Sequence, residues 1–304
     1  MAAQSLPPLD IQRAPEGGEI GAVQSGWRLA LREFMGNRLA VIGFGMLIFF
    51  VLFSFIGPLI YHTDQLDTNL IIANQPPSGA HILGTDTSGF DELGRMMKGG
   101  QAALEIGLFA AFVAIAIGTI WGAVSGLAGG VVDSAMMRVV DVFLSVPFLF
   151  VVLILAVKFG ATVLSLSLVI GSFAWQVPAR LVRGEVLTLR ERDFVLAART
   201  SGSGNWRLIF RHLIPNALGV VIVNVTFQVA DAILTVSYVG FLGFGLHYPS
   251  VDWGDQLADG SGYLQDGYWW LIFPVGACIV LTVMALNFIG DALRDAMDVR
   301  LRRR

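Results

Sequence analysis

The sequence has few charged residues and a single cysteine. Charged residues make up 14% of its 304 positions, against about 25% in a typical soluble protein, whereas 55% are hydrophobic and the mean hydropathy is +0.69. Cys278 on its own excludes an intramolecular disulfide and a zinc site built from cysteine alone. The net charge of −3 gives no support for nucleic-acid binding. This is the composition of an integral membrane protein.

Signatures of catalysis and metal binding are also missing. No G-x-x-x-x-G-K-[ST] motif occurs, so the chain has no phosphate-binding loop and is not itself an ATPase. Gly202-Ser203-Gly204 follows a polar helix rather than a strand, which argues against a nucleophile elbow. The four histidines are scattered and lack the spacing of metal ligands. We therefore expect neither an enzyme nor a metal site, and no cofactor bound by this chain.

Six long apolar runs each approach or exceed the roughly 20 helical residues that cross a bilayer. The short link 158–161 predicts a tight helical hairpin between the third and fourth runs. The fifth run exceeds one perpendicular span, which indicates a tilt or a break near Gly240, Gly243 and Gly245. We predict a tail and a surface helix over 1–38, one membrane domain over 39–292 and a basic tail over 293–304. The runs cover residues 39–60, 102–132, 139–157, 159–181, 213–246 and 268–289.

The basic residues predict the orientation of these spans. Of the 20 lysines and arginines, all but Arg95, Lys98 and Lys158 fall on the side that holds the N-terminus. Because basic loops stay in the cytoplasm, both termini are expected there. An even number of spans agrees with this result. The predicted fold class is an all-α membrane protein with six transmembrane helices and both termini cytoplasmic.

One cytoplasmic link, residues 182–214, is unusually long and polar. Its sequence predicts a helix over 192–201, a glycine break at 202–204 and a second helix that Ser203 or Asn205 could cap and Pro215 would end. Phe194, Trp206 and other apolar side chains on these helices could contact a partner protein. The alternative is a basic hairpin on the membrane surface that only fixes topology.

This link carries a resemblance to a known family. Residues 193–223, DFVLAARTSGSGNWRLIFRHLIPNALGVVIV, resemble the EAA loop of bacterial ABC importer permeases. Ala197, Ala198, Gly202 and Pro215 occupy its fixed positions, whereas Leu196 replaces the glutamate of the name. Four further segments are similar to the C-type permease subunit of dipeptide, oligopeptide and nickel importers. They are GTDTSGFDELGR (84–95), GGVVDSAMMRVVDVFLSVP (129–147), VGFLGFGLHYPSVDWGDQLADG (239–260) and FPVGACIVLTVMALNFIGDALRDAMD (273–298).

The resemblance implies a type I ABC importer permease fold and a set of partners. These are a homologous second permease subunit, two ATP-binding subunits that hold ATP and Mg²⁺, an extracytoplasmic substrate-binding protein and the lipid bilayer. The loop at 182–214 would then be a coupling loop that docks on an ATP-binding subunit. The residues implied in this coupling are Phe194, Ala197, Ala198, Gly202, Trp206 and Pro215.

Several residues inside the apolar runs indicate packing or a pathway. Gly118, Gly122 and Gly126 recur every four residues, so they share a helix face and favour close helix packing. Asp231, with Gln228 at helical spacing, is the best candidate for a pore-facing residue because a charge within the bilayer is costly. The alternative for Asp231 is a structural pairing with another helix. Glu105 is expected to be a wet interfacial carboxylate.

Two further features are expected to be structural. Arg138 is within about one turn of Asp133 and Asp141, which predicts a local ion-pair cluster. Pro147 and Pro178 interrupt helices, as kinks or hinges.

We expect a permease subunit for di- or oligopeptides. A permease for nickel chelates and an ion-coupled secondary transporter are the alternatives.

Overall fold

The computed structural model describes residues 34–302, which are almost entirely helical. No β-strand occurs in this range; one isolated bridge joins Thr85 to Asp91. The predicted N-terminal tail and most of the predicted surface helix lie outside the described residues. The helices are α1 (Arg38–Phe55), α2 (Gly57–Ile60), α3 (Glu92–Ala128), α4 (Gly130–Ser145), α5 (Phe148–Phe159), α6 (Val163–Phe173), α7 (Gln176–Leu189), α8 (Asp193–Thr200), α9 (Asn205–Leu208), α10 (Ile214–Val239), α11 (Trp253–Ser261) and α12 (Phe273–Arg302).

The prediction of an all-α membrane protein is confirmed. Among the described residues, four helical segments are long and apolar enough to cross a membrane, and two bent helix pairs pass the same test when each pair is taken together. The structure therefore offers between four and six spans. The four segments that pass the test singly are Arg38–Phe55, Glu92–Ala128, Asn205–Phe244 and Trp269–Met297.

The two bent pairs correspond to the third and fourth apolar runs. α4 and α5 meet at 77° across Pro147, and α6 and α7 meet at 46°. Pro147 therefore interrupts a helix, as predicted. Pro178 interrupts a helix as well: the second bend lies at Ala174 and Trp175, and the Ala174 carbonyl oxygen, which has lost its helical donor at Pro178, accepts the Gln228 side-chain amide instead. Pro178 is in the first turn of α7, where backbone N–H groups have no helical acceptor and proline is tolerated. The predicted hairpin between the two pairs is present as a short turn between α5 and α6.

The second apolar run is displaced from its predicted limits of 102–132. α3 begins at Glu92 because Asp91 caps it, its carboxylate accepting the Gly94 N–H at 2.9 Å. α3 ends at Ala128 because Gly129 adopts a φ of +63°, outside the helical region. Hydropathy missed the first turns of α3 because they contain charged residues. At the other terminus, α12 runs to Arg302, so most of the segment predicted as a basic tail is helical.

Helix α3 lies at the centre of the fold and packs against α1, α6, α7 and α10. α12 packs against α1 and α10. One end of this bundle, called here the basic end, carries the turn after α3 and the helices α8 and α9. The opposite end, called the acidic end, carries residues 61–91 and 246–272. The bundle thus separates two surfaces of different charge.

Large apolar side chains on the outside of the bundle face away from the core. Phe112 is 72% exposed, Phe150 65% and Val157 66%. A soluble monomer rarely leaves so much apolar surface uncovered, and such surface marks contact with a membrane or another protein. Lipid contact around the bundle explains it.

Candidate coupling surface and membrane cavity

The predicted pair of helices and the glycine elbow are present at the basic end. α8 ends at Thr200, and Gly202 follows with a φ of +81°, a conformation that residues with a Cβ rarely adopt. The N–H of Ser203 donates to the Ala198 carbonyl oxygen at 3.1 Å, which closes the turn. A Cβ at Gly202 would meet nothing within 4 Å, so the backbone conformation, and not local crowding, calls for glycine.

The outer face of this hairpin is apolar and exposed. Phe194 is 40% exposed and Trp206 63%, and the Trp206 ring stacks on Phe210 at a centroid distance of 5.9 Å. Ala197 is exposed and Ala198 half-buried beside them. We name this surface, formed by Phe194, Ala197, Ala198, Trp206 and Phe210, the coupling surface. A face with three aromatic rings and two small alanines is suited to contact a protein groove.

The inner face of the hairpin is anchored to the bundle. Val195 and Leu208 are fully buried. They join a core cluster with Leu127 of α3 and with Val182 and Val186 of α7. The coupling surface is therefore fixed to α3 and α7.

Pro215 does not end the second helix, contrary to expectation. The helical segment runs without a gap from Asn205 to Phe244. Residues 209–213 form a π-helical turn, in which the N–H of Ile214 donates to the Ile209 carbonyl oxygen. This wider turn precedes Pro215, which lies in the first turn of α10, where its missing N–H is tolerated. The predicted side-chain cap is also absent, because Gly204 is the cap residue of α9.

The glycines of α3 lie at its contact with α7. A Cβ at Gly118 would be 2.7 Å from the Trp175 carbonyl oxygen. A Cβ at Gly122 would be 2.9 Å from the Arg183 backbone nitrogen, and Gly126 is similarly close to α7. These separations leave no room for a side chain, so the two backbones approach each other directly.

Ion pairs join α4 to α7; of the predicted local cluster, the contact of Arg138 with Asp141 is present, whereas that with Asp133 is not. Arg183 of α7 holds Asp133 of α4 through two hydrogen bonds of 2.5 and 2.6 Å, and the Ser125 hydroxyl also donates to Asp133. Arg138 lies five positions from Asp133, on another face of α4, because each helical residue turns about 100°. Arg138 instead lies 4.0 Å from Asp141, which Arg180 contacts at 2.5 Å.

A cavity of about 660 Å³ lies beside α10 in the membrane region. Gln228, Asp231 and Thr235 line it on one face of α10, and Pro147 at the α4–α5 bend lines the opposite wall. The Gln228 side-chain amide donates to the Ala174 carbonyl oxygen at 2.9 Å. Asp231 is exposed to the cavity and has no ion-pair partner within 4.0 Å among the described residues. The structural pairing considered for Asp231 is therefore not made within the described chain.

Comparison with known proteins identifies the family. Residues 107–303 match the model of the binding-protein-dependent transport system inner membrane component, and residues 25–77 match that of the N-terminal TM domain of oligopeptide transport permease C. The chain belongs to this family of transport permeases. It is therefore an inner membrane protein.

Curated relatives of this permease are similar over almost its whole length. The oligopeptide transport system permease protein OppC of Haemophilus influenzae is 40% identical, covering 90% of this chain and 88% of the relative. The protein of the same name from Bacillus subtilis is 37% identical, covering 91% and 90%. The dipeptide transport system permease protein DppC of B. subtilis is 37% identical, covering 90% and 86%. Oligopeptide and dipeptide transport permeases are thus similar to this chain at nearly the same sequence identity.

The acidic end of the permease holds polar residues that sequence reasoning missed. Asp91 accepts hydrogen bonds from the Tyr61 hydroxyl at 2.8 Å and contacts His81 at 2.9 Å, while it also caps α3. Burial and the neighbouring Asp91 raise the pKa of Tyr61. The sequence feature that could have revealed this role of Asp91 is its position at the start of a helix that contains glycine. Asp91 therefore organises the 61–91 segment.

The segment 248–268 of the permease is part of the packed structure and not an open acidic loop. Trp253 is fully buried, and its indole N–H donates to the Met96 carbonyl oxygen at 2.9 Å. Asp252 is also buried; it caps α11 through the N–H of Asp255 and accepts the N–H of Leu246. Desolvation raises the pKa of Asp252. The acidic end is thus a folded cap on the bundle.

Proposed function

We propose that this permease is one of two transmembrane subunits of an ATP-driven importer for di- or oligopeptides. The observation that carries the proposal is the coupling surface, which is apolar, exposed and fixed to α3 and α7. The names of the relatives, oligopeptide and dipeptide transport permeases, support the substrate class. Family membership favours transport that depends on a binding protein over a self-sufficient secondary transporter.

The proposed topology has six spans, with the two bent pairs each counted as one span. The basic end then faces the cytoplasm together with both termini, as the distribution of lysine and arginine requires. The acidic end faces outward, where the substrate-binding protein would deliver the peptide. A second, homologous permease would complete the type I fold and the pathway.

The proposed mechanism uses residues of this chain for coupling and passage, and none for catalysis. Two partner ATP-binding subunits would bind ATP and Mg²⁺ and close on each other. The coupling surface would follow one of them, with Gly202 keeping the elbow and the π-helical turn before Pro215 keeping α9 continuous with α10. Gln228 and Asp231 on α10 would then change their exposure between the two sides of the membrane.

The wall chemistry of the cavity fits a substrate with variable side chains. Besides the polar face of α10 and Gln176 of α7, the lining consists of apolar side chains and includes Val142, Val146 and Phe148. Few fixed hydrogen-bonding groups point into it, so no single side chain is selected. Such a space suits passage of many peptides better than tight binding of one.

The test is peptide uptake by proteoliposomes that contain the complete importer. We expect Trp206→Ala to lower uptake and ATP hydrolysis at least about tenfold, because large aromatic contacts often carry 2 kcal/mol or more of an interface. Phe112→Ala is the matched control, since Phe112 is exposed on α3 away from the coupling surface. Native mass spectrometry of the complex reports whether the ATP-binding subunits remain attached.

Unchanged uptake by Trp206→Ala would show that the coupling surface does not take part in the transport mechanism. Uptake of a nickel chelate but of no peptide would replace the substrate class and leave the coupling assignment in place. Uptake driven by an ion gradient without ATP-binding subunits would overturn the importer assignment itself.

A further inference from the structure

A second cavity, of about 540 Å³, lies at the acidic end and has no role in the proposal above. Its size falls within the roughly 300–1,000 Å³ of small-ligand pockets. One wall is the first part of α3, and the others are the 63–66 segment, the 248–251 segment and α11. The Tyr248 hydroxyl donates to the Leu66 carbonyl oxygen and joins two of these segments across the cavity.

Four polar side chains of α3 line this cavity, Arg95 and three that follow it on one helix face. Lys98, Gln101 and Glu105 are spaced at i, i+3 and i+7, which places them in a row along the helix. Gln101 is already engaged, because its amide donates to the Ser54 carbonyl oxygen at 2.8 Å. Lys98 and Glu105, at the two ends of this row, are therefore available to contact a ligand.

The charges of Lys98 and Glu105 are not neutralised by the chain. Neither residue has an opposite charge within 4.0 Å among the described residues. The other cation of the cavity, Arg95, is occupied by Asp86 at 2.8 Å and lies 3.9 Å from Asp255. Within the described chain, the cavity thus presents one cation without an ion-pair partner, Lys98, and two such carboxylates, Glu105 and Asp64, of which Asp64 already accepts the backbone N–H groups of Leu66 and Asp67.

The Cα spacing of these two residues is comparable with the length of a short peptide. Seven helical residues at about 1.5 Å each separate their Cα atoms by about 10.5 Å. An extended peptide spans at most about 3.3–3.6 Å per residue, so three residues cover a similar distance. Between the ends, the lining includes Ala102 and Val163, which offer no specific partner for peptide side chains.

We propose that this cavity binds a short zwitterionic peptide, with the peptide carboxylate at Lys98 and its α-ammonium at Glu105. The inference rests on the proposed function and adds a site on this chain that reads the peptide termini. The peptide would occupy this site after it leaves the binding protein and before it enters the membrane cavity. Peptides with blocked termini are poorer ligands of this site whatever their side chains.

The test is photo-crosslinking to the complete importer in lipid nanodiscs, without the binding protein. The probe is a radiolabelled tripeptide with free termini and a diazirine on its central side chain. We expect the label on residues that line the cavity, and its displacement by unlabelled tripeptide. Lys98→Gln should raise the probe concentration that gives half-maximal labelling about tenfold, since a hydrogen bond to a charged group contributes about 1.5–3 kcal/mol.

Probes with blocked termini separate the two ends of the site. A C-terminally amidated probe should label the wild type weakly and be insensitive to Lys98→Gln, and an N-acetylated probe should behave likewise with Glu105→Gln. These probes also test the wild-type protein directly, so the result does not depend on a variant that folds. The matched control variants are Lys158→Gln and Asp266→Asn, whose side chains are exposed outside the cavity.

Equal labelling by free and blocked probes, or label confined to other segments, would overturn the inference. Uptake of the same tripeptide by proteoliposomes with binding protein and ATP is measured in parallel. If uptake occurs without labelling of the cavity, the inference fails and the proposed function stands. If no peptide is taken up, the proposed function fails as well.

Discussion

The buried pair of Asp133 and Arg183 gives the sharpest prediction for stability. It joins α4 to α7, and the Asp133 side chain is 10% exposed, that of Arg183 31%. Arg183→Met would leave the Asp133 carboxylate buried, with the Ser125 hydroxyl as its remaining side-chain partner. Breaking a buried pair costs about 3–5 kcal/mol. Because water reaches Arg183 in part, we expect a loss of about 2 kcal/mol in the free energy of unfolding.

The pair of Asp141 and Arg180 supplies a matched control on the same two helices. Its side chains are 46% and 50% exposed, although the atoms are equally close at 2.5 Å. Exposed pairs contribute about 0–1 kcal/mol, so Arg180→Met should have little effect on unfolding. The contrast tests burial together with the second hydrogen bond of the Asp133–Arg183 pair, since the helices, the charge types and the shortest distance are shared.

The assay is equilibrium unfolding of the purified permease in detergent micelles, followed by circular dichroism. Asp133→Asn, Arg183→Met and the double variant complete a cycle, whose coupling energy we expect at about 1–2 kcal/mol. A coupling energy near zero, or an equal effect of Arg180→Met and Arg183→Met, would refute the argument that burial and the second hydrogen bond make the Asp133–Arg183 pair the stronger one.

Two further predictions concern packing and pH. Gly122→Leu should prevent the contact of α3 with α7, so the protein should no longer be monodisperse in size-exclusion chromatography. Gly184→Leu is the control and should be tolerated, because a Cβ at Gly184 meets nothing within 4 Å. Equal size-exclusion profiles of the two variants would contradict this prediction. Desolvation, followed by repulsion from Asp259, raises the pKa of Asp255 to about 6. Because the folded state holds this proton more tightly, Asp255 should stabilise the protein below pH 4, and this contribution should be lost as pH rises towards 6. Asp255→Asn should flatten that part of the profile of melting temperature against pH, and an unchanged profile would contradict the assignment.

The sequence predicted features that depend on local pattern. The glycine elbow at Gly202, the break near Gly243 and the close helix contact at Gly122 follow from the conformational and steric properties of glycine. The shared face of Gln228 and Asp231 on α10 follows from the helical period. None of these predictions needed knowledge of which helices are neighbours.

Features that depend on distant segments were not predicted. Asp133 and Arg183 are separated by 50 positions, and both residues have nearer charges with which they could pair. The continuous path through Pro215 was missed because a π-helical turn leaves no clear sequence signal. The buried position of Trp253 was missed because its acidic neighbours gave the segment the composition of a loop.

The helical path that runs from Asn205 through Pro215 to the π-helical turn at 240–244, where Gly243 breaks the helix with a φ of +82°, limits how this chain can vary in length. It covers 40 residues, on the order of 50 Å or more at about 1.5 Å per residue. A single deletion between Pro215 and Gln228 would rotate one end against the other by about 100°, so Trp206 and the cavity face could no longer both keep their places. Insertions are therefore tolerable only outside this path or at its π-helical turns, where the helix already accommodates an additional residue. The spacing between these two surfaces is therefore a fixed dimension of the permease.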